Sequence, residues 1–283
     1  MCAPGSLWRR AGSLAIAGVV FAAVSASWTV AVDLTPASQR PFIGSSTNNT
    51  ERQLIFGYNG FGRVGGQQGG PGTTKVTLSA VAGRSTPIPF GGTRSPVRIF
   101  AAGLGGQAGW LVPLGVIALL AVWLLARRRT DPRFAALLVL GGWMAVELAA
   151  LDFSAGIVHP YYASALGPGL AAMVGAGVAA LGLLTRSPNA NRALAGYALA
   201  VVAITATVGV QLVLIDREGD PLWWRIPLVA LSLAALVAIP LARERSAVAV
   251  AAVAALMLVA PLVFSFSVWL APGDGTFPAP ATR

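Results

Sequence analysis

The chain has 283 residues, of which 55% are hydrophobic and only 11% are charged. Soluble domains carry about 25% charged residues, so this composition, with a mean hydropathy of +0.71, argues against a soluble enzyme, a disordered tail or a fibrous repeat and predicts an integral membrane protein. The net charge of +10 is typical of a membrane protein with arginine-rich cytoplasmic loops, and no nucleic-acid partner is expected. The single cysteine, Cys2, excludes an intrachain disulfide and a Cys-based zinc site.

Seven apolar runs are long enough to cross a bilayer, which takes roughly 17–25 residues. In chain order they are Ala11–Val32, Ala108–Ala126, Phe134–Leu151, Tyr162–Leu184, Ala193–Ile215, Ile226–Ala242 and Ala247–Leu270. The third and sixth runs are short for a span. The pattern predicts an all-α integral membrane protein with about seven transmembrane helices.

These runs define the expected domain organisation. Residues 1–32 form an N-terminal transmembrane helix, 33–107 a long extracytoplasmic Gly-rich loop, 108–270 a six-helix transmembrane region, and 271–283 an extracytoplasmic tail. The first run has a second interpretation, because Arg9 and Arg10, an apolar stretch and Val24-Ser25-Ala26 resemble a signal peptide. The run continues to Val32, which is long for a signal peptide, and a retained span is favoured.

The distribution of arginines predicts the orientation of these spans. Ten arginines fall in short segments on one side of the predicted spans, whereas three basic residues fall in short segments on the other side. The positive-inside rule gives little weight to the basic residues of the long loop. We therefore expect a multi-pass protein of the plasma membrane with its N-terminus inside and its C-terminus outside. The arginines assigned to the cytoplasmic side are Arg9, Arg10, Arg127, Arg128, Arg129, Arg133, Arg186, Arg192, Arg243 and Arg245.

The long loop is the only stretch with the composition of an aqueous domain. Its centre, Gly65–Gly72, is of low complexity, and Glu51–Phe56 is expected to form a short helix. The run Gly60–Gly65 matches G-x-G-x-x-G, but a dinucleotide-binding fingerprint needs a preceding strand and an acidic residue about 20 positions later. It also needs a following helix, whereas a Gly-rich tract follows here and no such acidic residue appears, so this match is interpreted as fortuitous.

Polar residues gather at one short outer hairpin between the third and fourth spans. They are Glu147, Asp152, His159, Tyr161 and Tyr162. Charges within spans are functional hypotheses by default, and a pocket for a phosphate and sugar hydroxyls is one interpretation of this group. An interfacial aromatic belt with a snorkelling carboxylate is the other.

An ordered set of motifs resembles the family 39-type membrane glycosyltransferases. Residues 54–63 read LIFGYNGFGR, residues 98–100 RIF, residues 104–107 LGGQ and residues 159–162 HPYY, followed by Pro168. More narrowly, the set is similar to a bacterial, especially actinobacterial, branch of mannosyltransferases related to the dolichyl-phosphate-mannose protein mannosyltransferases and the aminoarabinose transferases. The resemblance is good from Trp8 to Leu184, and the last three spans match in hydropathy alone.

The resemblance implies a GT-C fold and transfer of a mannose-like sugar, with inversion, from a polyprenyl-phosphate donor to an extracytoplasmic protein, lipid or glycan. It also implies that the matching loop and hairpin positions contact the donor. From their chemistry, Arg63 and His159 suit the phosphate. The positions assigned to the sugar or headgroup are Tyr58, Asn59, Tyr161 and Tyr162.

The chain departs from this family in its acidic residues. The family's catalytic acids lie in the first extracytoplasmic loop, whereas the first such loop here already carries GYNGFGR, and Asp33 and Glu51 do not fit the acidic motif. The chain is therefore expected to be a C-terminal portion, inactive alone, with no catalytic residue assigned. Glu147 and Asp152 remain candidate acidic residues. No cofactor or metal site is identified, although a divalent metal is compatible with a phosphate leaving group.

Two other functions stay open at this point. The chain could be a non-catalytic membrane subunit or lipid-binding partner that retains the donor-side half of the fold. A transporter or channel is less well supported, because only Glu147 approaches a deep position in a span and no broken helices recur in two halves.

Overall fold

A computed structural model of the chain describes residues 6–66, 93–101, 103–126, 128–155, 158–218, 224–241 and 243–270. Over these ranges the chain is helical and contains no strand. It divides into two compact units, the first formed by the N-terminal residues with Phe153–Val158 and the second by the rest. The Gly-rich centre predicted for the loop, beyond Gly66, and the tail 271–283 lie outside the described residues.

The first unit begins with helix α1, Leu7–Leu34, which is long and apolar enough to cross a membrane. Ser6 caps its N-terminus by accepting a hydrogen bond from the Arg9 N–H at 3.4 Å. Almost all of its side chains are left uncovered by other parts of the protein, as expected for a helix whose apolar surface faces lipid. The predicted first span is therefore a continuous helix.

A second helical segment follows, built from the π-helix Gln53–Phe61 and the short α-helix α2, Gly62–Gly65. Asp33, at the end of α1, caps its N-terminus from 18 residues away. The Asp33 carboxylate accepts hydrogen bonds from the Glu51 N–H at 2.7 Å and the Arg52 N–H at 3.2 Å. A carboxylate at a helix N-terminus satisfies its free amides and its dipole, which supports helix here despite four glycines between positions 57 and 65.

The second unit is a bundle of helices. Its members are α3 (Gly105–Leu125), α4 (Pro132–Phe153), α5 (Pro160–Thr185), α6 (Ala190–Glu218), α7 (Arg225–Leu241), α8 (Ser246–Met257) and α9 (Val259–Leu270). In the described part of the chain, six helical stretches have the length and composition to span a membrane, and α8 with α9 counts as one of them. The sixth predicted span corresponds to α7, whose 17 residues make it shorter than the others.

Small residues allow α5 to pack closely against both α3 and α4. A Cβ atom built on Gly177 would lie 2.3 Å from the Cβ of Ala118, and one built on Gly169 would lie 2.9 Å from the Met144 nitrogen. Such distances are impossible for real side chains, so these positions require glycine. Close approach of backbones at small residues is a common way to hold membrane helices together.

The last predicted span is broken at Leu258, where α8 ends and α9 begins. Pro261 explains the break, because proline has no N–H to donate to the carbonyl four residues earlier. That carbonyl belongs to Met257, and it accepts a hydrogen bond from the buried Gln211 side chain at 2.8 Å. The Gln211 amide also donates to the Trp110 carbonyl at 3.3 Å, so one side chain of α6 joins α3 to the α8–α9 break.

Candidate functional site

The HPYY motif begins α5 in the second unit. His159 has an extended backbone (φ −74°, ψ 143°), and Pro160 opens the 3₁₀ turn Pro160–Ala165. This follows from the sequence, because a residue before proline is pushed out of the helical region and proline is well suited to a first helical position. The Trp143 indole of α4 donates to the Ala165 carbonyl at 3.0 Å and holds the end of this turn.

The side chains of this turn form an aromatic cluster. The His159 ring lies parallel to Tyr161 (8° between planes) at 5.0 Å between centroids, and it meets Tyr162 edge-on at 5.3 Å. The two tyrosine rings are perpendicular at 5.0 Å. The three predicted residues are therefore brought together, and they place an imidazole and two phenol hydroxyls, groups able to bind oxygen atoms, in one small region.

An open cavity of about 480 Å³ lies beside this cluster. Its apolar lining includes Trp110, Leu111, Leu170 and Pro261, and its polar lining is limited to a few side chains. The polar lining residues are Gln107, Tyr161 and Ser164. The Tyr161 side chain is 49% exposed. A mostly apolar cavity with a few polar groups is typical of small-molecule binding sites.

Trp110 is the fixed wall of the cavity. Its indole donates to the Gly106 carbonyl at 2.7 Å, and its ring lies 5.4 Å from Phe264 of α9. The sequence pattern did not identify Ser164, Leu170 or Pro261 as part of a site. They come from two helices separated by about 90 residues, and only the packing of α9 against the starts of α3 and α5 reveals them.

Asp152 has a structural environment. It is buried, and its carboxylate accepts a hydrogen bond from the Ile99 N–H at 2.7 Å. The neighbouring Arg98 is 2% exposed and donates from Nε to the Leu151 carbonyl at 2.6 Å. Burial lowers the pKa of the Arg98 guanidinium, and the Asp152 charge opposes that shift. Arginine stays protonated in proteins, so Arg98 keeps its positive charge beside Asp152. The hydrogen bonds to the Leu151 carbonyl and the Asp152 carboxylate attach the turn Arg98–Phe100 to the end of α4.

Glu147 lies on α4 and is half-buried. The Asp152 carboxylate accepts a hydrogen bond from the Ile99 N–H, whereas no hydrogen bond of the Glu147 carboxylate is found within the described part of the protein.

In the described ranges, no group of three or more His, Cys, Asp or Glu side chains is arranged to hold a metal ion.

The GYNGFGR residues form a second group, in the first unit. The Arg63 guanidinium donates to the Asn59 side chain at 3.2 Å, and its central carbon lies 5.0 Å above the ring of Tyr58. Tyr58 is buried and Asn59 is exposed. Residues four positions apart on a helix are neighbours, which explains why Asn59 and Arg63 meet. The Ala155 N–H donates to the Val64 carbonyl at 2.9 Å and ties this segment to the stretch after α4.

Two curated bacterial proteins are similar to the chain. One is "Putative mannosyltransferase YkcB" of Bacillus subtilis (strain 168), 27% identical over 98% of the chain and 50% of YkcB. The other is "Putative mannosyltransferase YycA" of the same organism, 26% identical over 73% of the chain and 40% of YycA. The chain thus spans half or less of the length of these relatives. The alignment with YkcB extends beyond the Trp8–Leu184 region of the motif resemblance into the last helices.

No family model and no solved structure matches the chain. The similarity to the two mannosyltransferases is distant, and it points to the membrane glycosyltransferases as the functional class. The multi-pass helical architecture agrees with that class.

Proposed function

We propose that the chain contains the donor-binding part of a membrane glycosyltransferase of GT-C type. The enzyme takes a sugar, mannose-like by analogy with the named relatives, from a polyprenyl-phosphate donor and transfers it to an extracytoplasmic acceptor. The single observation that carries this proposal is the apolar cavity beside the His159–Tyr161–Tyr162 cluster. A lipid-linked sugar needs an apolar surface for its isoprenoid chain and polar groups at one end of it.

The residue types support a division of roles. Trp110 and Leu170 offer apolar contacts to the first isoprenoid units. Tyr161 and Tyr162 hydrogen-bond sugar hydroxyls or stack on the ring, and His159 donates to a phosphate oxygen. As a separate assignment within the first unit, Arg63 contacts a phosphate group, while Tyr58 and Asn59 orient its guanidinium and contact a headgroup.

The transfer reaction gives the chemical reason for these contacts. The acceptor hydroxyl oxygen attacks the anomeric carbon, the bond from that carbon to the phosphate oxygen breaks, and the polyprenyl phosphate leaves with the electron pair. A carboxylate takes the hydroxyl proton. Cationic and hydrogen-bonding groups at the phosphate stabilise the charge that develops on the leaving group.

Donor binding by the purified full chain tests the proposal. We expect saturable binding of a polyprenyl-phosphate-linked mannose, weakened about tenfold or more in Tyr161→Ala and in Arg63→Ala. Tyr197→Ala is the matched control, since Tyr197 lies on α6 and is not part of the cluster or the cavity lining. Equal affinity in the wild type and in both site variants would refute the assignment of the donor site.

A further inference from the structure

A second cavity, of about 500 Å³, lies at the other end of the helices that form the first one. It is bounded by the end of α3, the start of α4, the end of α5 and the start of α6. Helix α3 rises about 21 Å between Leu111 in the first cavity and Leu125 in the second, at about 1.5 Å per residue. Its lining residues are Leu125, Arg133, Leu183, Leu184, Arg186, Ser187, Pro188 and Arg192.

The charge of this cavity is its distinctive property. Three of its eight lining residues are arginines, and no lining residue among those described is acidic. The ion pairs found in the described ranges are Arg52–Asp33 and Arg225–Asp216, so none of these three arginines is paired with a carboxylate there. Like charges brought together are unfavourable, and an anion in the cavity would relieve that repulsion.

Local hydrogen bonds hold the side chain of Arg186 and the backbone at Arg192 and Arg133. The Arg186 Nε donates to the Gly182 carbonyl at 2.9 Å, which fixes the side chain along the last turn of α5. Asn189 caps α6 by accepting from the Arg192 N–H at 3.1 Å. Arg133 lies in the first turn of α4, whose cap is Asp131, bonded to the Arg133 N–H at 2.9 Å.

We propose that this cavity binds the phosphate group of an anionic ligand. Arginine suits this chemistry because its planar guanidinium offers paired donors to phosphate oxygens. Three leucines, Pro188 and Ser187 form the remaining wall. A phospholipid headgroup with its acyl chains against Leu125 and Leu183 is one source of the phosphate, and free phosphate is the other. Basic pockets between membrane helices are typical binding places for anionic headgroups. The proposal does not depend on the donor site at the opposite end of the bundle.

The test uses the purified full chain in phosphatidylcholine nanodiscs, with cardiolipin added in one arm and inorganic phosphate in the other. Retained cardiolipin is measured by native mass spectrometry, and phosphate binding by the shift in the thermal midpoint. The variant Arg133→Gln/Arg186→Gln/Arg192→Gln should lose affinity for the bound species by about tenfold or more. Saturation by cardiolipin alone identifies a lipid site, and saturation by phosphate identifies a site for the free anion.

The matched control is Arg128→Gln/Arg129→Gln/Arg245→Gln, which removes the same charge from exposed arginines outside the cavity lining. It should bind like the wild type. Ser187→Asp provides a second variant that keeps all three arginines, adds a negative charge to the lining and should also weaken binding. Equal losses in the two triple variants, or wild-type binding in the cavity variant and in Ser187→Asp, would overturn the proposal.

Discussion

At the scale of single residues, the two candidate carboxylates differ in their surroundings. Asp152 is buried beside Arg98 and accepts a backbone hydrogen bond from Ile99, whereas Glu147 is half-buried on the same helix. Burying a charged side chain is costly unless a partner or hydrogen bonds compensate it. Asp152 therefore has a structural role that the residue type alone does not reveal.

Removing the Asp152 carboxylate should destabilise the protein. Asp152→Ala leaves the Ile99 N–H and the buried Arg98 charge without this partner, and we expect a loss of about 1–3 kcal/mol in the free energy of unfolding. Glu147→Ala should change it by less than about 1 kcal/mol. Denaturant unfolding in detergent measures both. Equal stability of the two variants would contradict the structural role of Asp152.

At the scale of the helices, stability depends on close contacts and on the satisfaction of broken backbone hydrogen bonds. Gly177 faces Ala118 at a distance that leaves no room for a methyl group, while a Cβ on Gly175, two residues earlier, would meet nothing within 4 Å. Gln211 supplies the hydrogen bond that Pro261 denies to Met257. Each feature yields a prediction with a control on the same helix.

Gly177→Ala should separate α3 from α5. Overpacking of this kind costs about 1–3 kcal/mol, and we expect a lower thermal midpoint in detergent. Gly175→Ala is the control, and it should be neutral or slightly stabilising because alanine has the higher helix propensity. A Gly177→Ala protein as stable as Gly175→Ala would show that α3 and α5 are not packed as described.

Gln211→Leu should weaken the junction of α3, α6 and the α8–α9 break. The substitution leaves the Met257 carbonyl without the side-chain donor, and hydrogen bonds between membrane helices contribute about 0.6–1.7 kcal/mol. Thr205→Val is the control on α6, because among the described residues the Thr205 hydroxyl bonds only its own helix, at the Val201 and Val202 carbonyls. Thermal unfolding should give a lower midpoint for Gln211→Leu than for Thr205→Val. Equal midpoints would contradict the stabilising role of the Gln211 hydrogen bonds.

The elements could be predicted from the sequence to different degrees. Hydropathy located the spans because about 20 apolar residues are needed to cross a bilayer, and it began the fourth span at Tyr162, two residues after Pro160, where α5 begins. The helix through GYNGFGR was predicted only as far as Phe56, because its cap is Asp33, which is distant in sequence. The break at Leu258 was not predicted, because the run Ala247–Leu270 is apolar throughout and hydropathy does not register the N–H that Pro261 lacks.

The candidate site was predictable only in its local part. His159, Tyr161 and Tyr162 are adjacent in sequence, so their clustering follows from one turn. The cavity wall combines Trp110 with Pro261, and no local pattern connects these positions. Arg98 was noticed as part of a motif, but its burial depends on the end of α4.

At the scale of the whole molecule, the two cavities lie at opposite ends of α3 and α5, and the arginine-rich one lies where the positive-inside rule expects the cytoplasm. The orientation itself is a prediction from the loop charges. It has a direct functional consequence, because the proposed donor site would then open toward the extracytoplasmic side.

Cysteine labelling tests this orientation. In a Cys2→Ser background, Phe42→Cys introduces a thiol at a position that is 88% exposed, and Arg129→Cys places one in the loop between α3 and α4. A membrane-impermeant maleimide should label position 42 in intact cells and position 129 only after permeabilisation. The reverse pattern would invert the assigned orientation.

We propose above that a polyprenyl-phosphate-linked sugar occupies the cavity beside Tyr161. The most direct measurement is photo-crosslinking of the purified chain with a donor analogue that carries a photoreactive group on its first isoprene unit, followed by peptide mapping. We expect crosslinks to peptides that contain Trp110, Leu170 or Pro261, suppressed by excess unlabelled donor. Crosslinks confined to other helix surfaces, or unaffected by the unlabelled donor, would contradict it.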